Sequence, residues 1–252
     1  MYIGVDLAWS SGMTGLAAVD AGGDLIAATQ RRADAEILDW LRPRTAGPCL
    51  VGIDAPIVVR NATGSRDCEK LTGRYFGRYG ASCHPANTSR PAFQGGTRAL
   101  RLAGELGLGI DPASSAERRA IEVYPHPAIV MLFGLPAIVR YKIKPGRSLE
   151  SLRAETQRLL GLIEGLAGDP VPLRAGACPA WSEIRNGVGN ATSKAALARL
   201  QDSIDAVVCA YIARLAHRCP DRVRTLGTAG DGYILTPVTP RLAAQIDAGI
   251  IR

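Results

Sequence analysis

Short apolar runs alternate with amphipathic stretches along this chain, and their order is readable. Tyr2-Ile-Gly-Val-Asp6, Gly15 to Val19 and Leu25 to Thr29 have the length and composition of strands. Between the second and third, Asp20-Ala-Gly-Gly-Asp24 is a hairpin signal. Trp9 to Thr14 is turn material. From Asp34, the residues Ile37, Leu38, Trp40 and Leu41 recur at helical spacing, and Pro43 is expected to stop that helix. Cys49 to Ile53 is unbroken apolar sequence, as in a strand buried on both faces. Ala120 to Tyr124 reads as a fifth strand, ended by Pro125-His-Pro127. Helical periodicity appears over Thr97 to Leu108 and His126 to Phe133. It appears again from Ser148, with Leu149, Leu152, Leu159, Leu160 and Ile163 on one side. Gly168 to Gly189 is rich in Pro and Gly and is expected to be irregular. Asp202 to His217 is the clearest helix, and Tyr233 to Thr236 a late strand.

This order predicts an α/β fold. Strands joined by hairpins must be antiparallel, while strands reached through helices run parallel to the first. The expectation is one mixed five-stranded sheet, a three-strand meander plus parallel strands, with helices on both faces. The 252 residues are taken as one domain, 1–252, with an insertion at 57–110 between the fourth and fifth strands.

Charge gives that insertion a character. The chain carries a net charge of +7. Between Arg60 and Arg101 lie eight cations and two anions, +6 in one stretch. Tyr75, Phe76, Tyr79 and Phe93 are interleaved with Arg74, Arg78 and Arg90. Cations with aromatics suit a nucleic-acid strand, where stacking contributes about 1–3 kcal/mol per base. Arg74, Arg78, Arg90, Arg98 and Tyr75 are therefore candidate nucleic-acid contacts. No apolar run approaches the ~18 residues of a membrane span. The first residues include Asp6 and no basic leader, and the six cysteines show no paired spacing. Both point to reduced thiols and a cytoplasmic protein.

The acids carry the candidate chemistry. Asp6 and Asp54 end apolar runs, Glu122 lies inside one, and Asp202 and Asp205 sit on an apolar helix. An acid among apolar residues is expensive to bury unless it is paired or binds a metal. Mg²⁺ and Mn²⁺ prefer oxygen ligands. Two such ions about 4 Å apart stabilise the attacking and leaving oxygens of a phosphoryl displacement. Adjacent parallel strands ending at Asp6 and Asp54 would bring two acids to about 5 Å, one strand spacing. Asp202 and Asp205 are three apart and share a helix face. The plain alternative makes Asp202 the cap of its helix, with Asp205 favouring the helix dipole.

Taken together, Ile3-Gly-Val-Asp6-Leu-Ala-Trp9, Gly52-Ile-Asp54-Ala-Pro56, Glu122-Val-Tyr-Pro-His-Pro127, Tyr141-Lys142, Asp202-x-Ile-Asp205-Ala206 and Gly230-Asp-Gly-Tyr-Ile234 resemble a known family. It is catalogued as domain of unknown function 429 and described as predicted nucleases with a ribonuclease-H-like fold. The arrangement also resembles the Holliday-junction-resolvase branch of that fold. The resemblance implies a Mg²⁺- or Mn²⁺-dependent nuclease. Asp6, Glu122 and Asp205 would be metal ligands, with Asp54 and Asp202 beside them. Lys142 would neutralise a phosphate. The resolvase pattern has an acid on its fourth strand, the position of Asp54, so Asp54 and Glu122 both stand as the second ligand. His126, just beyond Glu122, is a candidate for orienting water. Two other readings compete: an actin-like small-molecule kinase, which shares Gly-Val-Asp on its first strand, and a non-catalytic nucleic-acid-binding domain. Oligomeric state is not encoded in any of these patterns.

Overall fold

Alternation along the strands divides the core into two. The computed structural model describes residues 1–10 and 12–250. Five strands, β1 (Tyr2–Asp6), β2 (Thr14–Val19), β3 (Leu25–Arg31), β4 (Cys49–Asp54) and β5 (Arg118–Glu122), form one sheet in the order β3-β2-β1-β4-β5. β1 pairs antiparallel with β2 and β2 with β3, while β4 runs parallel to both β1 and β5. The mixed α/β sheet expected from the sequence is present. The turn expected over Trp9–Thr14 includes Ser11, which lies outside the described residues.

Successive side chains of a strand point to opposite faces. Tyr2, Ala17, Val19, Leu50 and Ile121 join one apolar cluster with helices α5 (Leu149–Gly165), α6 (Pro179–Gly189) and α7 (Lys194–Arg218). Ile3, Val5, Leu16, Val51, Ile53 and Ala120 join the other, with α1 (Asp34–Thr45) and α3 (Arg98–Glu105). Helices therefore cover both faces.

Three glycines let α7 lie against the sheet. A Cβ on Gly4 would stand 1.8 Å from the carbonyl oxygen of Ala206, and one on Gly15 1.8 Å from that of Asp202. A Cβ on Gly52 would meet the Cys209 carbonyl oxygen at 2.5 Å. No side chain fits there, so the helix backbone rests directly on β1, β2 and β4. That contact carries Asp202 and Asp205 to the sheet.

Several elements differ from expectation. α1 continues two residues past Pro43, and the Thr45 hydroxyl donates to the Leu41 carbonyl in that last turn. The Pro- and Gly-rich stretch contains α6, because Pro179 opens the helix at a position where its missing N–H costs nothing. Trp181, Ile184 and Val188 form its buried side. α7 begins at Lys194 rather than Asp202, and its cap is Ser193, whose hydroxyl accepts from the Ala196 N–H at 3.1 Å. Asp202 is therefore not a cap but an interior helix residue.

The basic stretch is itself partly helical. α2 (Asp67–Phe76) precedes α3, with α4 (Pro125–Leu132) following β5. The late strand is β7 (Gly232–Pro237), paired antiparallel with an unforeseen β6 (Val223–Thr228) in a hairpin separate from the main sheet. Tyr75, Phe76 and Leu226 pack there with Leu242 of α8 (Pro240–Asp247). Among the described residues, no helix is long and apolar enough to cross a membrane.

Candidate active site

Asp6 and Asp54 are register partners at the carboxyl ends of parallel neighbours β1 and β4. Adjacent strands lie about 4.8 Å apart. Both residues share strand parity with Gly4 and Gly52, so both are on the face covered by α7. The helix adds Asp205, whose side chain is only 2% exposed.

One lysine links two of these acids. The Lys142 ammonium pairs with the Asp205 carboxylate and lies 3.9 Å from Asp6. The Tyr141 hydroxyl donates to the other Asp205 oxygen at 2.5 Å. Gln201 of α7 donates to the Tyr141 carbonyl at 2.7 Å, and Arg147 to the Lys142 carbonyl at 2.7 Å. The 140–147 segment is thus anchored at both ends of Lys142.

The electrostatics are those of crowded acids at the edge of the core. Burial pushes the Asp54 carboxyl up to about 8; Asp205 and Glu122 add to this, and Lys142 opposes it. Asp6 is raised well above its ordinary value by burial, opposed by Lys142 and reinforced by Asp205, Asp54 and Asp202. Asp202, less buried, is raised by burial, with Lys142 opposing. Burial would discharge Lys142, but the attraction of Asp205 and Asp6 outweighs it and holds the ammonium charged. Like charges brought together out of water favour a cation between them.

The donor chemistry suits a hard divalent cation, since carboxylate oxygens are what Mg²⁺ and Mn²⁺ take. Among the described residues, no three His, Cys, Asp or Glu side chains stand close enough to share one ion.

Glu122 has a different setting from the one expected. It pairs in register with Ile53, not Asp54, and so belongs to the opposite face of the sheet. There Arg66 grips it with two hydrogen bonds, Nη2 to Oε1 at 2.6 Å and Nη1 to Oε2 at 2.9 Å. The Ile57 N–H donates to Oε2 at 2.8 Å. Arg66 also binds Glu69 through Nε at 2.9 Å, and Glu69 accepts the Arg66 N–H as a helix-capping carboxylate. All three side chains are buried. Both oxygens of Glu122 are thus committed, and its role is to tie β5 to the start of α2.

The expected nucleic-acid contacts divide in the same way. Arg98 is buried, bound to Asp34 at 2.7 Å and to the carbonyls of Ala8 and Arg32. Tyr75 is buried in the hairpin cluster. These two are structural, because partners distant in sequence cover them. Arg74, Arg78 and Arg90 are exposed. Arg78 stacks over Tyr79 at 4.7 Å.

Sequence reasoning did not single out Arg66, and nothing local marks it. It also left out Arg147, which lies with Lys142 and Lys144 on the 140–147 segment. All three bear electrostatically on His126. Lys-Ile-Lys next to Tyr141 was the visible signal.

Neither a search of curated proteins nor one of solved structures finds a match. The model of one family, described as "Protein of unknown function (DUF429)", matches residues 4–229, a span containing Asp6, Asp54, Lys142 and Asp205. The chain belongs to that family.

Proposed function

We propose that this protein is a metal-dependent nuclease that hydrolyses phosphodiester bonds of nucleic acid. The observation that carries the reading is the meeting of Asp6 and Asp205 on Lys142, with Asp54 beside Asp6 at the end of the neighbouring strand. Three acids from two parallel strand ends and one crossing helix are crowded together with a single lysine to offset them, a costly arrangement that a divalent cation would relieve. The strand order β3-β2-β1-β4-β5 is the one a ribonuclease-H-like sheet requires, and supports that assignment.

Asp6 and Asp205 would hold Mg²⁺ or Mn²⁺, which commonly takes one or two carboxylates and keeps several waters, with Asp54 and Asp202 beside them. Such an ion would supply Lewis acidity toward the phosphoryl oxygen and make an attacking water more acidic. The residues do the rest. Lys142 leaves Asp6 and Asp205 for a non-bridging phosphate oxygen, carrying positive charge to where negative charge accumulates. Tyr141 keeps Asp205 oriented. Glu122 is outside this set, held by Arg66.

The test is cleavage of a broad panel of DNA and RNA, single- and double-stranded, with Mg²⁺ or Mn²⁺. The wild type is expected to cut at least one substrate, and Asp6→Asn to lower the rate by about 10³-fold or more, the scale seen when a catalytic electrostatic contact is removed. A wild type inert on the whole panel with both ions would sink the proposal. ATP turnover without nucleic acid would instead favour the kinase alternative.

A further inference from the structure

A second cavity opens beside the acids, and its walls differ from theirs. It has a volume of about 80 Å³. One water needs about 10–15 Å³ on the same footing, so the space exceeds that of a single water. Trp9, beyond the end of β1, Ala55 and Pro56, beyond β4, and Tyr124, beyond β5, line it together with His84. Clefts beyond the carboxyl ends of parallel strands are the usual ligand position in open α/β sheets. Asp54 lines the cavity and also belongs to the carboxylate group.

The lining is aromatic and apolar above a polar floor. Trp9 is braced by Phe93, ring centroids 5.0 Å apart. Tyr124 is fixed by donating its hydroxyl to the Ser82 carbonyl at 3.1 Å. The floor is the Arg66–Glu122–Glu69 network, whose internal hydrogen bonds fix it in place. Aromatic walls from Trp9 and Tyr124, with the exposed His84 imidazole in the same lining, suit the face and edge of a nucleobase. A bare phosphate would find Arg66, the guanidinium of this lining, already spent on Glu69, Glu122 and the Val58 carbonyl.

We infer that this cavity receives one unpaired nucleobase, so that the substrate is a single strand or a duplex with an extruded nucleotide. This rests on the nuclease reading for its purpose: a base seated against Asp54 brings its own phosphate to Asp6 and Asp205. A paired base inside a duplex cannot enter, because its face is stacked and its edge is occupied.

Trp9 reports occupancy by its own fluorescence. The other two tryptophans lie elsewhere: Trp40 under Arg44 and Trp181 buried against Glu164. The experiment titrates the uncleaving Asp6→Asn protein with a single-stranded oligonucleotide, the same strand in a blunt duplex, and a nucleoside monophosphate. The single strand is expected to quench the signal and the duplex to leave it unchanged. The monophosphate, lacking a strand, quenches only at higher concentration. Asp6→Asn/Trp9→Phe should show no quench, and Asp6→Asn/His84→Ala, altered at an exposed residue, should bind the single strand about tenfold more weakly, within the range of one stacking contact. Equal quenching by duplex and single strand, or an unchanged affinity in the His84→Ala form, overturns the inference. Parallel cleavage assays separate the two readings. Quenching in a protein that cuts nothing removes the nuclease and keeps the cavity. Cleavage of duplex and single strand at one rate, with no Trp9 signal, does the reverse.

Discussion

At the scale of single residues, environment rather than identity decides what each acid does. Asp6 and Asp54 were legible because a strand end next to a parallel neighbour fixes their position. Glu122 was not, because its face depends on the β4–β5 register. A shift of one residue would have set it beside Asp54 instead of Ile53. Asp202 looked like a cap only because the polar turn before it, closed by Ser193, was not recognised as the helix start. His126 shows the same dependence. It lies 5.6 Å from Tyr124 and 5.8 Å from Tyr141 between ring centroids. Burial draws its pKa from 6.5 down to about 4; Asp205 opposes this, while Lys142, Lys144 and Arg147 reinforce it. Between those two pH values the unfolded chain holds a proton on His126 and the folded chain does not. Stability therefore falls as pH drops through this window, by at most about 1.4 kcal/mol per pH unit for a whole proton, and levels off below it. Above pH 6.5 the residue contributes no slope. His126→Gln should remove this part of the acid dependence. Denaturant unfolding of both proteins from pH 7 to pH 4 checks it, and curves that stay parallel throughout would refute the assignment.

At the scale of elements, two contacts hold the site, and each makes a prediction. The first is α7 on the sheet. Gly4→Ala would push a methyl into the Ala206 carbonyl, backbone against backbone, where no side chain can swing away. Overpacking costs about 1–3 kcal/mol where neighbours can adjust, so this substitution belongs at or above the upper end. Because the displaced turn carries Asp205, activity should fall further than stability. A folded, fully active Gly4→Ala protein would show that the helix does not depend on that contact. The second is the Arg66 bridge between β5 and α2. Arg66→Met leaves Glu122 and Glu69 buried without a cation, a change that costs about 3–5 kcal/mol. Adding Glu122→Gln should recover part of that loss, since the stranded charge is then gone. A double variant as unstable as the sum of its parts would mean the two side chains do not interact. Neither contact could be read ahead of the structure. Glycines in strands announce close approach but not the helix that approaches, and Arg66 sits 56 positions from Glu122.

At the scale of the whole molecule, the question is how a polyanion reaches the acids, and the charge map differs from the sequence count. The +7 chain seemed to concentrate its excess between Arg60 and Arg101. Folding removes much of that from play: Arg66 and Arg98 are buried in ion pairs, and Lys70 pairs with Asp67 at 2.9 Å. Arg78 is exposed but lines a separate depression with Val130 and Leu242. Lys142 bears on the acid group, and together with Lys144 and Arg147 on its neighbour His126. Charges separated by more than about 8 Å are largely screened at physiological salt, so the near rim should dominate local guidance of a phosphate backbone. Lys144 is exposed and forms no ion pair among the described residues. Removing it alters charge without disturbing the Arg147 clasp on Lys142. If the 140–147 segment is the approach path, Lys144→Ala should weaken nucleic-acid binding uniformly across sequences and lower the slope of log affinity against log salt by about one. Arg78→Ala, remote from the acids, should leave that slope unchanged. Both are measured in the uncleaving Asp6→Asn protein, with a labelled oligonucleotide titrated at several salt concentrations. A slope altered by Arg78→Ala and not by Lys144→Ala would move the approach path back to the 57–110 region, where the sequence alone had placed it.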